Sequence, residues 1–137
     1  MCLFYPVLND PVKYGANLAI DGGISTFFHP NTTSIDEWFQ VDMGSSHSVT
    51  GVDIGFRSDY PLEIFASRRK GLEVRIGNMS AVEDPLGNDV CAKVHGSPDS
   101  FIVSLPCKAK ADGRYIIIRS TNLEWWDLEE VNASALP

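Results

Sequence analysis

Six short runs rich in β-branched and aromatic residues, spaced by Gly, Pro, Asn, Asp and Ser, constrain this chain more than anything else in it. They are residues 39–42, 50–56, 72–76, 101–105, 115–119 and 130–133. Each has the length and composition of a strand, and each is bounded by residues that favour turns. No stretch carries the 3.6-residue periodicity of a long amphipathic helix, so the pattern predicts an all-β antiparallel sandwich. Leu72, Val74 and Ile76 alternate and are expected to face inward. Residues 115–118 are apolar throughout, which predicts a central strand covered on both faces. The first thirty residues read as irregular, broken by Pro6, Pro11, Gly15, Gly22, Gly23 and Pro30.

The chain has 137 residues, the size of one domain with a real core, so residues 1–137 are read as a single unit without repeat or linker. A hydrophobic content of 44% and a charged content of 21% are ordinary for a globular protein. The net charge of −7 excludes nucleic acid as the expected partner, because phosphate binding needs a basic surface. No apolar run is long enough for a membrane-spanning helix. The opening Met1-Cys-Leu-Phe-Tyr-Pro-Val-Leu lacks the basic region of a signal peptide, so a secreted form implies a mature or excised piece.

Cys2, Cys91 and Cys107 lack the paired spacing of a zinc site. Cys91 and Cys107 either form a disulfide or are two unrelated buried thiols. A disulfide would close a loop of roughly 15 residues and contribute about 3 kcal/mol. Cys2 is left over. Sequons at Asn31, Asn78 and Asn132 point to an oxidising, secretory origin.

Two constellations carry the chemistry. Val52, Ile54 and Phe56 share one face of a strand that ends at Arg57-Ser58-Asp59. An Arg fork held by an Asp can grip a hydroxyl-rich ligand, and the bland alternative is a surface pair worth under about 1 kcal/mol. Arg68 follows a short loop later and His29 lies upstream. The second constellation is Asn17-Leu-Ala-Ile-Asp-Gly-Gly-Ile-Ser-Thr26, where Asp21, Ser25, Thr26 and turned-in carbonyls offer hard oxygen ligands suited to calcium. The bland reading of Asp21-Gly22-Gly23 is a plain turn. Glu129-Glu130 could supply a distant carboxylate. As adjacent strand residues they face opposite ways, a poor geometry for joint acid–base work. No Ser/His/Asp or Cys/His arrangement suggests an enzyme. His47 and His95 sit in polar stretches without an assigned role, and Trp125-Trp126 is expected to pack at the base of the sandwich.

The ordered set Ala19-Ile-Asp-Gly-Gly-Ile-Ser-Thr-Phe-Phe-His29, Trp38-Phe-Gln-Val-Asp-Met-Gly44, Val52-Asp-Ile-Gly-Phe-Arg-Ser-Asp59 and Gly71-Leu-Glu-Val-Arg-Ile-Gly77 resembles the F-type lectin (fucolectin) domain family, within the discoidin-like class. The likeness continues through Cys91 and Cys107, Gly113-Arg-Tyr-Ile-Ile-Ile118 and Leu128-Glu-Glu-Val131. It implies a jellyroll-like β-sandwich of about eight strands. It implies a fucose site at His29, Arg57, Asp59 and Arg68, and a structural calcium held by the backbone of Leu18, Asp21, the backbone of Gly23, Thr26, the backbone of Glu129, and Glu130. It implies that Cys91 pairs with Cys107. The implied partners are fucosylated glycans or glycoproteins, bound outside the cell by a secreted protein or an ectodomain, with homo-oligomers supplying multivalency.

The departures from the family pattern are specific. Many relatives place a Cys before the motif His and another before the final Glu, bonded together; here those positions are Phe27 and Glu129. Relatives often carry adjacent cysteines after the Arg-x-Asp, where this chain has Tyr60-Pro61 and a loop longer by several residues. Tyr60 or Phe65 could wall a sugar face, or the loop could cover the site. The sequon at Asn31 lies beside His29. The alternative function is therefore the same fold without sugar binding, serving as a protein–protein or adhesion module of a larger extracellular or receptor protein. A more distant one is a membrane-binding discoidin domain, which would need Leu62, Ile64 and Phe65 as apolar spikes.

Overall fold

The computed structural model describes residues 2–5, 37–56, 58, 61, 63, 70–94, 100–121 and 126–136. They form six strands: β1 (Cys2–Tyr5), β2 (Trp38–Gly55), β3 (Leu72–Gly77), β4 (Asp89–Lys93), β5 (Ile102–Ser120) and β6 (Glu130–Ala135). All pairings among them are antiparallel.

Two strands organise everything. β2 and β5 are 18 and 19 residues long, and they pair with each other from Trp38↔Arg119 to Gly55↔Ile102. Each absorbs two of the runs expected as separate strands. The sequence between those runs, Met43-Gly-Ser-Ser-His-Ser-Val49, reads as a loop but stays within β2, with His47–Val49 paired to β5 and Met43–Ser46 bulged out of register. It bends there: the register shifts between Asp42 and His47, and Gly44 takes a left-handed φ of 83° that a side chain would resist.

Side chains stitch the bend where the ladder is irregular. The Gly44 amide donates to Asp42 Oδ1 (2.8 Å), and Arg114 forks onto both oxygens of Asp42 at 2.6 and 2.8 Å. The Ser48 hydroxyl donates to Asp112 Oδ1 (2.6 Å). The Arg114 guanidinium, seconded by the Gly44 amide, holds the Asp42 carboxyl down at about 2. His47, in a stretch that reads as a polar loop, lies on this strand segment, exposed and 3.2 Å from Ser45 Oγ.

The bend folds the long ribbon back on itself and creates two layers. In layer one the order is β1, the first half of β2, the second half of β5, β3 and β4. In layer two the second half of β2 lies between β6 and the first half of β5. Phe39, Val74, Ile76, Ile116 and Ile118 from layer one share a single core with Val52, Ile54 and Val131 from layer two. The all-β antiparallel expectation holds, with Leu72, Val74 and Ile76 inward as their alternation predicted.

The Cys91–Cys107 disulfide is present and joins β4, at the edge of layer one, to the layer-two half of β5. It therefore spans the sandwich. Two strands escaped the sequence reading: β4, whose five residues alternate weakly, and β1, which lies within the stretch expected to be irregular.

Layer one is also covered from outside. Ile117 is fully buried and packs with Trp38 and Ala81, Ala81 belonging to the 78–88 connection. That connection is pinned by polar groups of the sheet and its own ends. Gln40 Oε1 accepts from the Ala81 amide (2.7 Å), Arg75 Nη1 donates to the carbonyls of Leu86 and Asn88, and Asn88 exchanges two bonds with the Met79 backbone. The buried Glu73 carboxylate answers Arg75, with Lys93 and Arg119 at 3.6 and 3.8 Å. Burial of a carboxylate in such a place requires these cations.

Candidate functional site

The two layers converge at the end of the sandwich opposite the bend. Trp126 is 1% exposed and donates its indole N–H to Glu37 Oε2 (3.2 Å), just before β2 begins in layer one. Three residues further on, the Glu129 amide donates to the carbonyl of Gly55 (2.7 Å), where β2 ends in layer two. Trp126 thus packs in the core as expected, but at the end that carries Ser58 rather than remote from it. Trp125 lies outside the described residues.

Two chain exits at this end are held firmly. The first follows β2. Phe56 is buried and its amide donates to Phe101 O (2.6 Å), while Ser58 is gripped by Glu129 from the other side. The Ser58 amide donates to Glu129 Oε2 (2.9 Å), and the Ser58 hydroxyl straddles Oε1 and Oε2 at 3.0 and 2.7 Å.

The second exit leads into β3 from Arg68-Arg69-Lys70. Gly71 takes a φ of 72°, a conformation that favours glycine, and turns the chain into the sheet. Its amide donates to Val94 O (3.2 Å), and its carbonyl accepts from both the amide and the hydroxyl of Thr121 (2.7 and 2.6 Å).

Of the sugar-binding residues expected from the sequence, His29, Arg57, Asp59 and Arg68 lie outside the described residues. Their immediate neighbours do not: Ser58 sits between Arg57 and Asp59, and Lys70-Gly71 closes the segment after Arg68. Of the expected calcium ligands, Leu18, Asp21, Gly23 and Thr26 lie outside the described residues, whereas Glu129 and Glu130 are described. Glu130 is partly exposed and opens β6 opposite Gly55. Among the described residues, no group of three or more His, Cys, Asp or Glu is placed to hold a metal ion.

The structure brings the exit of β2 toward Arg57-Ser58-Asp59 against Glu129 and Glu130. Sequence reasoning missed the link itself. Glu129 entered it as a backbone ligand or a distant carboxylate for an ion, yet its carboxylate contacts Ser58. The signal was the departure from the family pattern, a carboxylate standing where relatives have a half-cystine.

Of the sequons, Asn78 and Asn132 are exposed, and Asn31 lies outside the described residues. Asn78 Oδ1 accepts from the Arg114 amide (3.1 Å), which leaves the Nδ2 that a glycan would use out of that bond. Among the described residues no helix is long and apolar enough to cross a membrane.

Comparison with known proteins places this architecture. No curated protein matches the chain. A fucolectin from striped bass (Morone saxatilis) serum superposes with a TM-score of 0.79 at 24% identity, over 99% of this chain and 45% of that one. The chain thus spans under half the length of that relative. The lectin domain of lectinolysin, solved with Lewis B antigen, gives 0.74 at 20% identity over 100% of this chain and 93% of that one. A fucose binding module of Streptococcus pneumoniae gives 0.73 at 21% identity, covering 99% and 91%. At these identities the likeness establishes the fold, which is the discoidin-like sandwich anticipated from sequence. The model of the F5/F8 type C, NedA-like, galactose-binding domain matches residues 18–118, most of the chain, and the chain belongs to that family.

Proposed function

We propose that this chain is a calcium-stabilised, fucose-recognising lectin domain of an extracellular protein, and that it binds without performing chemistry. The observation that carries the reading is the meeting of Ser58 with Glu129. It joins the exit toward the sugar motif to the residue pair expected at the calcium, at one end of a fold shared with fucose-binding proteins. The disulfide and the exposed sequons agree with an oxidising compartment.

In this reading Arg57 and Arg68 donate to ring and hydroxyl oxygens of the sugar, and His29 donates to a further hydroxyl. Asp59 holds Arg57 extended through a charge-assisted bond. The expected ion ligands (Asp21, Thr26, Glu130 and the carbonyls of Leu18, Gly23 and Glu129) are all oxygen donors, the set a hard cation such as calcium takes. When bound, the ion would fix the loop that carries His29. Single open sites of this kind bind weakly, so repeated domains or a homo-oligomer would supply avidity.

A glycan array read with and without EDTA tests this. Fucosylated glycans are expected to bind, EDTA to lower both binding and melting temperature, and Arg57→Ala to abolish binding. No fucoside signal at high protein density would sink the lectin reading. It would favour the adhesion module, for which the Asn31 sequon beside His29 and the long 60–67 loop speak. A melting temperature indifferent to EDTA would remove the calcium.

A further inference from the structure

We infer that Glu129 is the positioning residue of the ligand loop, a carboxylate clamp on Ser58 built at a position where many relatives carry a half-cystine bonded elsewhere. The inference rests on the fucose-binding reading of Arg57 and Asp59, and it assigns a role that reading did not contain. Glu129 engages the segment 55–58 at two points. Its amide holds the Gly55 carbonyl at 2.7 Å, and its carboxylate receives the Ser58 amide at 2.9 Å and the Ser58 hydroxyl at 3.0 and 2.7 Å. One residue therefore fixes both where β2 ends and how the next residues leave it.

The hold is rigid for physical reasons. Glu129 is 9% exposed and follows the fully buried Leu128, so its side chain has little freedom to leave. Hydrogen bonds to an ionised carboxylate are shorter and about twice as strong as neutral ones. Phe56, between the two clamp points, is buried and tied to Phe101 O at 2.6 Å. A motif whose middle residue is fixed by its backbone N–H has the φ of that residue constrained, and the flanking side chains start from a defined origin. A ligand would then meet a Ser58 backbone already held by Glu129, which spares the entropy of fixing it on binding.

The test compares Glu129→Gln and Ser58→Ala with the unaltered chain. Glu129→Gln keeps the volume but offers one acceptor oxygen and no charge; Ser58→Ala keeps the amide bond and removes the hydroxyl. In Glu129→Gln, hydrogen exchange at the Ser58 amide is expected to accelerate about tenfold, and affinity for a fucoside to fall by about the same factor, the loss of one charge-assisted bond. Ser58→Ala should show a smaller fall. Ile117→Val, which loosens layer one and leaves the clamp alone, controls for destabilisation: it should lower the melting temperature without changing fucoside affinity. Unchanged Ser58 exchange in Glu129→Gln overturns the clamp whatever the sugar result. Accelerated exchange with fucoside affinity unchanged overturns its positioning role. If the unaltered chain binds no fucoside while Ser58 exchange still accelerates, the fucose reading falls and the clamp on the loop stands.

Discussion

The two layers are built from the same pair of long strands, yet they meet solvent differently. In layer one the outer face of β5 presents Ile117 under the 78–88 connection, with Gln40, Glu73 and Arg75 as its polar anchors. In layer two the outer face is open. Asp53 faces Ser104 on one side and Asn132 on the other, Ile102 is 65% exposed, and a groove of about 220 Å³ runs beside Thr50, Ser104, Pro106 and Ser134. The burial pattern of β5 changes accordingly, from alternating in its first half to continuous across Ile116–Ile117–Ile118. A strand's pattern reports what covers it, and a single strand can carry two patterns when it crosses between layers.

The largest way to break the comparison is at the crossing both layers share. A Cβ at Gly113 would come within 2.4–2.5 Å of the Gly77 backbone, so Gly113→Ala must push β5 from β3. We expect a loss of about 3 kcal/mol or more by urea unfolding, with both layers affected. Ile117→Ala should cost about 3 kcal/mol, and Ile102→Ala under about 0.5 kcal/mol, in the same assay. Equal costs would mean that the outer faces are equally covered. Replacing Cys91 and Cys107 together by Ala should cost up to about 3 kcal/mol by removing the tie between layers. Its signature would be faster amide exchange in β4 than in β3, because β4 pairs with β3 on one side and the disulfide ties it on the other.

The smallest effect is a pH dependence at the bend. The Asp42 carboxyl lies near 2 when folded, below its ordinary 3.8. A depressed carboxyl stabilises the fold above the ordinary value and loses that contribution as pH falls through the folded one. Between about pH 4 and pH 2 the urea midpoint of the unaltered chain should therefore drop more steeply than that of Asp42→Asn. Parallel curves would show that Arg114 contributes nothing through this pair.

Legibility of the sequence followed the range of the interactions involved. Leu72, Val74 and Ile76 announced their inner face because alternation is local, and residues 115–118 announced a covered strand because continuous burial leaves a continuous apolar run. The continuity of β2 through Met43–Val49 was not legible. Its residues are those of a turn, and bonds among Gly44, Asp42, Arg114, Ser48 and Asp112 help carry the strand across them. β4 was hidden by a short run with Asp89 and Lys93 at its ends. At the candidate site, sequence and resemblance supplied the residues bordering both constellations. The Ser58–Glu129 contact joins positions 71 apart, and no pattern in either segment points to the other.

The pairing of β2 with β5 also sets how the chain must reach its fold. β2 contributes to both layers, yet in layer two its partners, β5 and β6, both come later in the chain. β3 and β4 can form a hairpin early; before β5 is made, β2 has only β1, which pairs with Trp38–Val41. Sheets closed by such distant pairings fold slowly, because the loop entropy is lost before the contacts that offset it are made. During synthesis the 18-residue β2 emerges before either layer can be completed, with the backbone groups beyond the stretch that β1 covers still unpaired. The same continuity that joins the layers makes β2 the segment most in need of protection until β5 has been made.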